Sequence, residues 1–326
     1  MRKKLISLSI GTPLFLFLGW FLFPKELPHP NQCSQMQVMR WLLRDDLPQQ
    51  SDEIINALVD RLQFEIENGL TASQSTSLPK RYEEQLAENI SFIKKRWFEL
   101  RVVEFHELET PAEKKQFLSR QINLVESWPQ TNDQGTSESA FFAEIESWID
   151  AAPTPEAQQG MYDATVSAIL RWLQISDLSV HSQTVRDSLA IRVEAYLSSG
   201  GNLEENAASE SSDETSQFRK NGLLLLKSWY MIQAKTFDKL PKDERSAFVT
   251  RKLADVKKWD LSSLFGGASN GSSGRHLTQI ASMVDGWIKN ANSDEQQVLR
   301  NFKHEVEKTI LLEFISNPLK MFQRQK

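Results

Sequence analysis

The sequence predicts an all-α protein. It reads as an N-terminal transmembrane helix, then a five-helix unit of roughly 131 residues written twice, then a terminal helix. Three observations carry that prediction. From Ser34 onward, apolar residues recur at i, i+3, i+4 and i+7, and no run alternates as a half-buried strand does. Eight of the nine tryptophans pair along the chain: Trp41 with Trp172, Trp97 with Trp229, Trp128 with Trp259 and Trp148 with Trp287, at spacings of 131, 132, 131 and 139. The ninth, Trp20, lies in an uncharged run from Leu5 to Phe23.

That run follows a cationic head, Met1-Arg2-Lys3-Lys4. Its length as a helix is roughly 28 Å, enough to cross a hydrocarbon core. Pro13 kinks it, which membrane helices tolerate, and Trp20 and Phe21 sit where aromatic rings favour the interface. Lys and Arg precede the run and Pro24-Lys25-Glu26 after it is neutral, so the N-terminus is expected in the cytoplasm and the bulk on the periplasmic side. A cleaved signal peptide is the alternative, but Phe23-Pro24-Lys25-Glu26-Leu27-Pro28 offers no small-x-small site. The expected organisation is residues 1–24 as cytoplasmic cap and anchor, 25–33 as a proline-rich spacer, 34–165 as helical unit 1 and 166–326 as helical unit 2 with the terminal helix.

A first helix covers about Ser34–Arg44 and stops at Asp45-Asp46-Leu47-Pro48. A second starts at Ser51, an N-cap followed by acids in the first turn, and ends near Gly69. The polar stretch Thr71–Ser77 leads to a long helix of about Lys80–Leu108. Thr110-Pro111-Ala112-Glu113 then supplies an N-cap, an N1 proline and a capping-box glutamate for a helix to Trp128. A fifth helix is expected at about Ser139–Ala151.

Thr154-Pro155-Glu156 opens a helix to Ile175 whose Arg171-Trp172-Leu173 repeats Arg40-Trp41-Leu42. Asp177-Leu178 answers Asp46-Leu47, and Gly200 falls where Gly69 fell. After an acidic loop come a long helix to Leu240, a helix from Pro241 to Trp259, the glycine-serine stretch Gly266–Gly274 and a helix of about His276–Asn290. The terminal helix starts at Ser293-Asp294-Glu295 and carries Leu311-Leu312-Glu313-Phe314 where the earlier copies carry Arg-Trp.

Residues kept in both copies read first as packing. The tryptophans are expected buried where helices meet, and Phe105/Phe237 and Phe117/Phe248 on the apolar stripe. Arg120/Arg251 and Arg40/Arg171 are expected to stack on a ring or to tie down a carboxylate of a neighbouring helix.

Chemistry is sparse. A formal net charge of −5 leaves no basic surplus for phosphates, so nucleic acid is not an expected partner. One cysteine, Cys33, forms neither an internal disulfide nor a thiolate cage. The five histidines, His29, His106, His181, His276 and His304, lack i, i+4 spacing and read as solvated surface. Gly266-Gly267-Ala268-Ser269-Asn270-Gly271 has neither a preceding strand nor a following Gly-Lys-Ser/Thr, and reads as a connector. No catalytic, cofactor or metal residue is assigned.

The segment Phe237-Asp238-Lys239-Leu240-Pro241-Lys242-Asp243-Glu244-Arg245-Ser246-Ala247-Phe248-Val249-Thr250-Arg251, with its partner from Phe105 to Arg120, resembles a stretch in uncharacterised membrane-anchored helical envelope proteins of planctomycete-type bacteria. The first copy departs from it, with Lys114 or Lys115 near the place of Arg245. The resemblance implies an envelope setting and no activity.

These readings point to a membrane-tethered scaffold or binding protein with a protein partner, no cofactor and no small-molecule substrate. The alternatives are a glycan-directed envelope hydrolase using two of Glu99, Glu104, Asp177 and Asp285, and a structural subunit of a larger membrane complex.

Overall fold

A computed structural model describes residues 27–68, 80–127, 137–203, 211–259, 261–265 and 273–316. The protein is all-α: every regular element among the described residues is helical. Contacts divide the chain into two compact units, residues 1–100 and 101–326, with the division inside one long helix.

In the first unit, a 3-10 turn at Pro30–Gln32 precedes α1 (Gln35–Leu42), a second 3-10 turn at Leu47–Gln49, α2 (Asp52–Glu67) and α3 (Lys80–Glu107) as far as Leu100. Helix α1 opens with Gln37 Oε1 accepting from the Ser34 backbone N–H at 2.8 Å. Helix α2 opens with Ser51 Oγ accepting from the Ile54 N–H, and Asp52 and Glu53 favour the positive end of its dipole. Ile55, Leu58 and Val59, at i, i+3 and i+4, bury its inner face. Trp41 Nε1 and the Cys33 thiol both donate to the Pro28 carbonyl, at 3.1 and 3.3 Å, which folds the spacer against α1.

The second unit takes α3 from Arg101, then α4 (Pro111–Ser127), α5 (Ser137–Asp150), α6 (Pro155–Ile175), α7 (Gln183–Ser198), α8 (Ser212–Lys239), α9 (Lys242–Val256), a four-residue α10 (Ser262–Phe265), α11 (Ser273–Asn290) and α12 (Ser293–Ser316). The capping box before α4 forms: Thr110 Oγ1 accepts from the Glu113 N–H at 3.2 Å, and Glu113 Oε2 accepts from the Thr110 N–H at 3.0 Å. The Thr110 hydroxyl, donating to Glu113 Oε2 at 2.7 Å, and the Thr110 N–H hold the Glu113 carboxyl below its ordinary range. Helix α7 ends in a Schellman motif. Gly200 sits at φ 95°, its N–H reaches Leu197 O at 3.2 Å, and the Gly201 N–H reaches Tyr196 O at 3.0 Å.

Helix α8 is the axle of this unit, packing against α6, α7, α9, α10 and α12. Gly222 lets α10 approach it closely, since a Cβ there would meet Leu264 Cδ2 at 2.3 Å. Phe302 of α12 gathers Tyr230, Phe237 and Phe248 at centroid distances of 5.1, 5.4 and 6.4 Å. Helix α6 faces two ways, packing on α4 and α5 and also on α7 and α8. The predicted boundary at 165/166 therefore falls in the interior of a helix.

The helices recur at the tryptophan spacing. Helices α2 and α7 have 16 residues each, and α3 and α8 have 28 each. Ser51 and Ser182 cap α2 and α7 through the same bond to the third residue on. Leu47 and Leu178, and likewise Leu58 and Leu189, are fully buried.

Several expectations meet the structure differently. Trp41, Trp97, Trp148, Trp172, Trp229 and Trp259 are buried, but Trp287 is only half-buried, its ring 5.8 Å from that of Tyr230. Trp128 lies outside the described residues. Helix α10 is an added element: Leu261 and Leu264 are buried there, although the run is too short to show a helical period. The expected anchor, Leu5–Phe23, lies outside the described residues, and none of the described helices is long and apolar enough to cross a membrane.

Candidate functional site

The polar side chains converge on the places where helices stop, and those joints form the candidate site. A helix leaves its last carbonyls without intrahelical donors. At the end of α6, Asn221 of α8 supplies them: its Nδ2 donates to Leu173 O at 2.9 Å and Ser176 O at 2.6 Å. Its Oδ1 accepts from the Leu178 N–H and from Gln217 Nε2, both at 3.1 Å. Asn221 is 0% exposed, so all four of its hydrogen-bonding positions are used inside the protein. At the end of α1, Asn89 of α3 repeats the arrangement, donating to Leu42 O and Arg44 O at 2.8 Å each. Asn89 and Asn221 stand 132 apart, like Trp97 and Trp229, and that shared spacing was the signal that could have found them.

Charged residues tie the same elements. Arg171, expected to hold a carboxylate of a neighbouring helix, donates from its guanidinium to Glu214 of α8 at 2.9 Å, to Ser119 of α4 at 2.8 Å and to Gln174 at 2.8 Å. Lys115 of α4 completes the hub at 3.0 Å from Glu214. Glu194 of α7 accepts from Lys252 of α9 at 2.6 Å and from Gln233 of α8 at 3.3 Å. The recurring rings each carry a cation. Arg120 lies over Phe117 and Arg251 over Phe248, both at 5.9 Å, while Lys114 lies over Phe105 at 5.1 Å and Arg245 over Phe237 at 5.0 Å. Lys114 therefore does in one place what Arg245 does in the other. Arg120 is also paired with Glu104, at 3.6 Å.

The tryptophans sit in the same joints. The indole N–H of Trp97 donates to Gln63 Oε1 at 3.1 Å and that of Trp172 to Glu126 Oε1 at 2.6 Å. Trp229 and Trp259 meet edge to face at 5.0 Å, their indole N–H groups buried without a hydrogen-bond acceptor among the described residues. His181 departs from the solvated-surface reading. Its ring is edge-on to Trp172 at 5.3 Å and 3.8 Å from Glu126, with a side chain only 11% exposed. The turn that Asn221 fastens carries His181 inward, a placement with no periodic signature. His29 is half-buried, His106 and His304 are exposed, and the side chain of His276 lies outside what is described.

One open groove lies between the end of α3 and the first turns of α6, lined by His106, Pro155, Glu156, Gln159, Gly160 and Asp163. His106 Nε2 is 3.0 Å from Gly160 O. A carbonyl only accepts, so Nε2 is the donor in this contact. The groove brings an imidazole near two carboxylates with no Ser, Thr, Cys or Lys in its lining, and the four acids weighed for hydrolysis lie elsewhere. Glu99 pairs with Lys95 and Arg96, Glu104 with Arg101 and Arg120, Asp177 with Lys220 and Asp285 with Lys303. The Lys220 ammonium and Ser179 hold the Asp177 carboxyl well below the usual carboxylate range, the opposite of what a general acid needs. Among the described residues no group of three or more His, Cys, Asp or Glu side chains is placed to hold a metal ion.

Comparison with family models, curated proteins and solved structures finds no match to this chain.

Proposed function

We propose that the chain is a membrane-tethered, extracytoplasmic helical scaffold, made by tandem duplication of one five-helix unit with α12 beginning a third. Its role is to hold a protein partner at the bacterial envelope without chemistry of its own. The observation that carries this reading is the repeated asparagine joint, in which Asn89 and Asn221 fasten the ends of α1 and α6, each donating from Nδ2 to two carbonyls. Arg171, Glu214, Glu194 and Lys252 are likewise committed to neighbouring helices, so the conspicuous polar residues serve geometry. Stacked helical units with fixed joints present long surfaces on which partners dock. The tether rests on Leu5–Phe23 and the cationic head before it.

The test uses the full chain in a bacterial host. Retention in the membrane after alkaline washing and activity of a phosphatase fused to the C-terminus are expected, since that reporter works only outside the cytoplasm. Photocrosslinkers at the exposed Val103 and Ile191 should capture one recurrent protein. Release by alkaline washing would remove the tether, and crosslinks to nothing would remove the scaffold.

A further inference from the structure

Two packing demands fall on neighbouring residues of α8. The joint at the end of α6 requires Asn221, whose amide makes four hydrogen bonds there. The close approach of α10 requires Gly222, since a Cβ would meet Leu264 Cδ2 at 2.3 Å. Together they write Asn-Gly, the sequence in which an asparagine is chemically most labile, because no side chain beside the glycine nitrogen obstructs its attack on the carboxamide. The Gly222 nitrogen bonds to Asn221 Cγ, the Cγ–Nδ2 bond breaks, and Nδ2 leaves as ammonia with the proton of the glycine nitrogen. Water then opens the five-membered imide at one of its two carbonyls. One opening gives aspartate, and the other gives isoaspartate, in which the main chain runs through Cβ and Cγ.

The folded protein blocks each step. Leu173 O and Ser176 O hold Nδ2, and the Leu178 N–H and Gln217 Nε2 hold Oδ1, so the carboxamide is not free to turn toward the main chain. Asn221 is 0% exposed, which keeps hydrolysing water away. Its backbone lies inside α8, and ring closure needs a turn at residue 221 that a helix does not have. All three protections end together when the joint opens. The products then keep it open. Each puts a carboxylate where Leu173 O and Ser176 O had an N–H donor, and isoaspartate also adds a backbone carbon to the helix on which α6, α7, α9, α10 and α12 pack. The first unit differs: Asn89 precedes Ile90, whose branched side chain shields the nitrogen.

We infer that Asn221-Gly222 is a spontaneous modification site guarded by the joint, so that an opening long enough for imide formation becomes irreversible and sets the working life of the α8 core. Neither the tether nor a partner enters into it.

The test is peptide mapping by mass spectrometry of the purified full-length chain, kept at pH 8 in buffer and in urea. In urea, Asn221 is expected to convert as fast as Asn68 and Asn270, the other asparagines that precede glycine, and well ahead of Asn89. In buffer its conversion is expected to slow at least about a hundredfold, and at intermediate urea to rise in proportion to hydrogen exchange at the Leu178 amide. Chains carrying isoaspartate at 221, returned to buffer, should exchange that amide at least about tenfold faster than unmodified ones, and Asn221→Asp, which makes the other product directly, should do the same. A smaller slowdown in buffer would overturn the guard, and conversion that does not follow Leu178 exchange would overturn its coupling to the joint. Modified chains with wild-type protection at Leu178 would overturn the irreversibility.

Discussion

Asn221→Leu keeps the approximate size of the side chain and removes all of its hydrogen bonds. Ser176 O retains the Gln217 Nε2 donor at 3.0 Å, but Leu173 O and the Leu178 N–H lose the partner that Asn221 gave them. Both belong to residues whose side chains are shut away from water, so water does not replace it. At about 1–3 kcal/mol for each orphaned buried group, the loss is about 2–6 kcal/mol, a large part of a typical domain's stability of about 5–15 kcal/mol. Asn89→Leu orphans Leu42 O and Arg44 O but no amide, so its loss should be smaller. Urea unfolding followed by far-UV circular dichroism measures both, and native-state hydrogen exchange at the Leu178 amide reads the joint itself. Exposed Gln297→Leu is the control, expected within about 0.5 kcal/mol of wild type. An Asn221→Leu protein indistinguishable from that control, with Leu178 still protected, would refute the joint as a source of stability.

Trp259→Ala should cost about 3–5 kcal/mol, because it empties a buried site and leaves Trp229 without its edge-on partner; wild-type melting would disprove the packing. Gly222→Ala, which in an open helix would stabilise, should here destabilise by about 1–3 kcal/mol as its methyl meets Leu264, and Leu264→Ala should relieve part of that in the double mutant. Burial pushes the Cys33 thiol up, so little thiolate forms at mild pH. Iodoacetamide at pH 8 is expected to leave the native protein unmodified and to alkylate one thiol in urea, and rapid native labelling would contradict the burial. Arg44 holds the Asp46 carboxyl low, and Thr110 does the same for Glu113. Their contribution is complete above the ordinary carboxylate range and is lost as pH falls through the depressed folded values. Arg44→Met and Thr110→Val should therefore flatten the acid limb of stability below about pH 4, and an unchanged slope would disprove both pairs.

Features written within a few consecutive residues were readable before any coordinates. Thr110-Pro111-Ala112-Glu113 closes as a capping box because all its partners lie within one turn. Ser51 and Thr154 cap their helices for the same reason. Long-range placements were not readable. Asn221 reaches Leu173 across 48 residues, and a polar residue in mid-helix looks like surface until the helix end beneath it is known. His181 and Trp287 failed in opposite senses. An imidazole was drawn under cover by the turn that carries it, and an indole was left half outside although its spacing matched a buried partner. Arg171 was legible as a carboxylate holder, but its partner Glu214 was not, since the choice among many surface acids is made by which helix lies alongside.

Helix α6 has one further consequence, for anyone who would divide this chain. A cut at 165/166 leaves stumps of eleven and ten residues, each below the roughly 12–15 that hold a helix unaided in water. Made separately, the fragments would carry ragged, apolar ends and clump. Made together, they would knit across the break, which turns the seam into a ready place for split-reporter complementation.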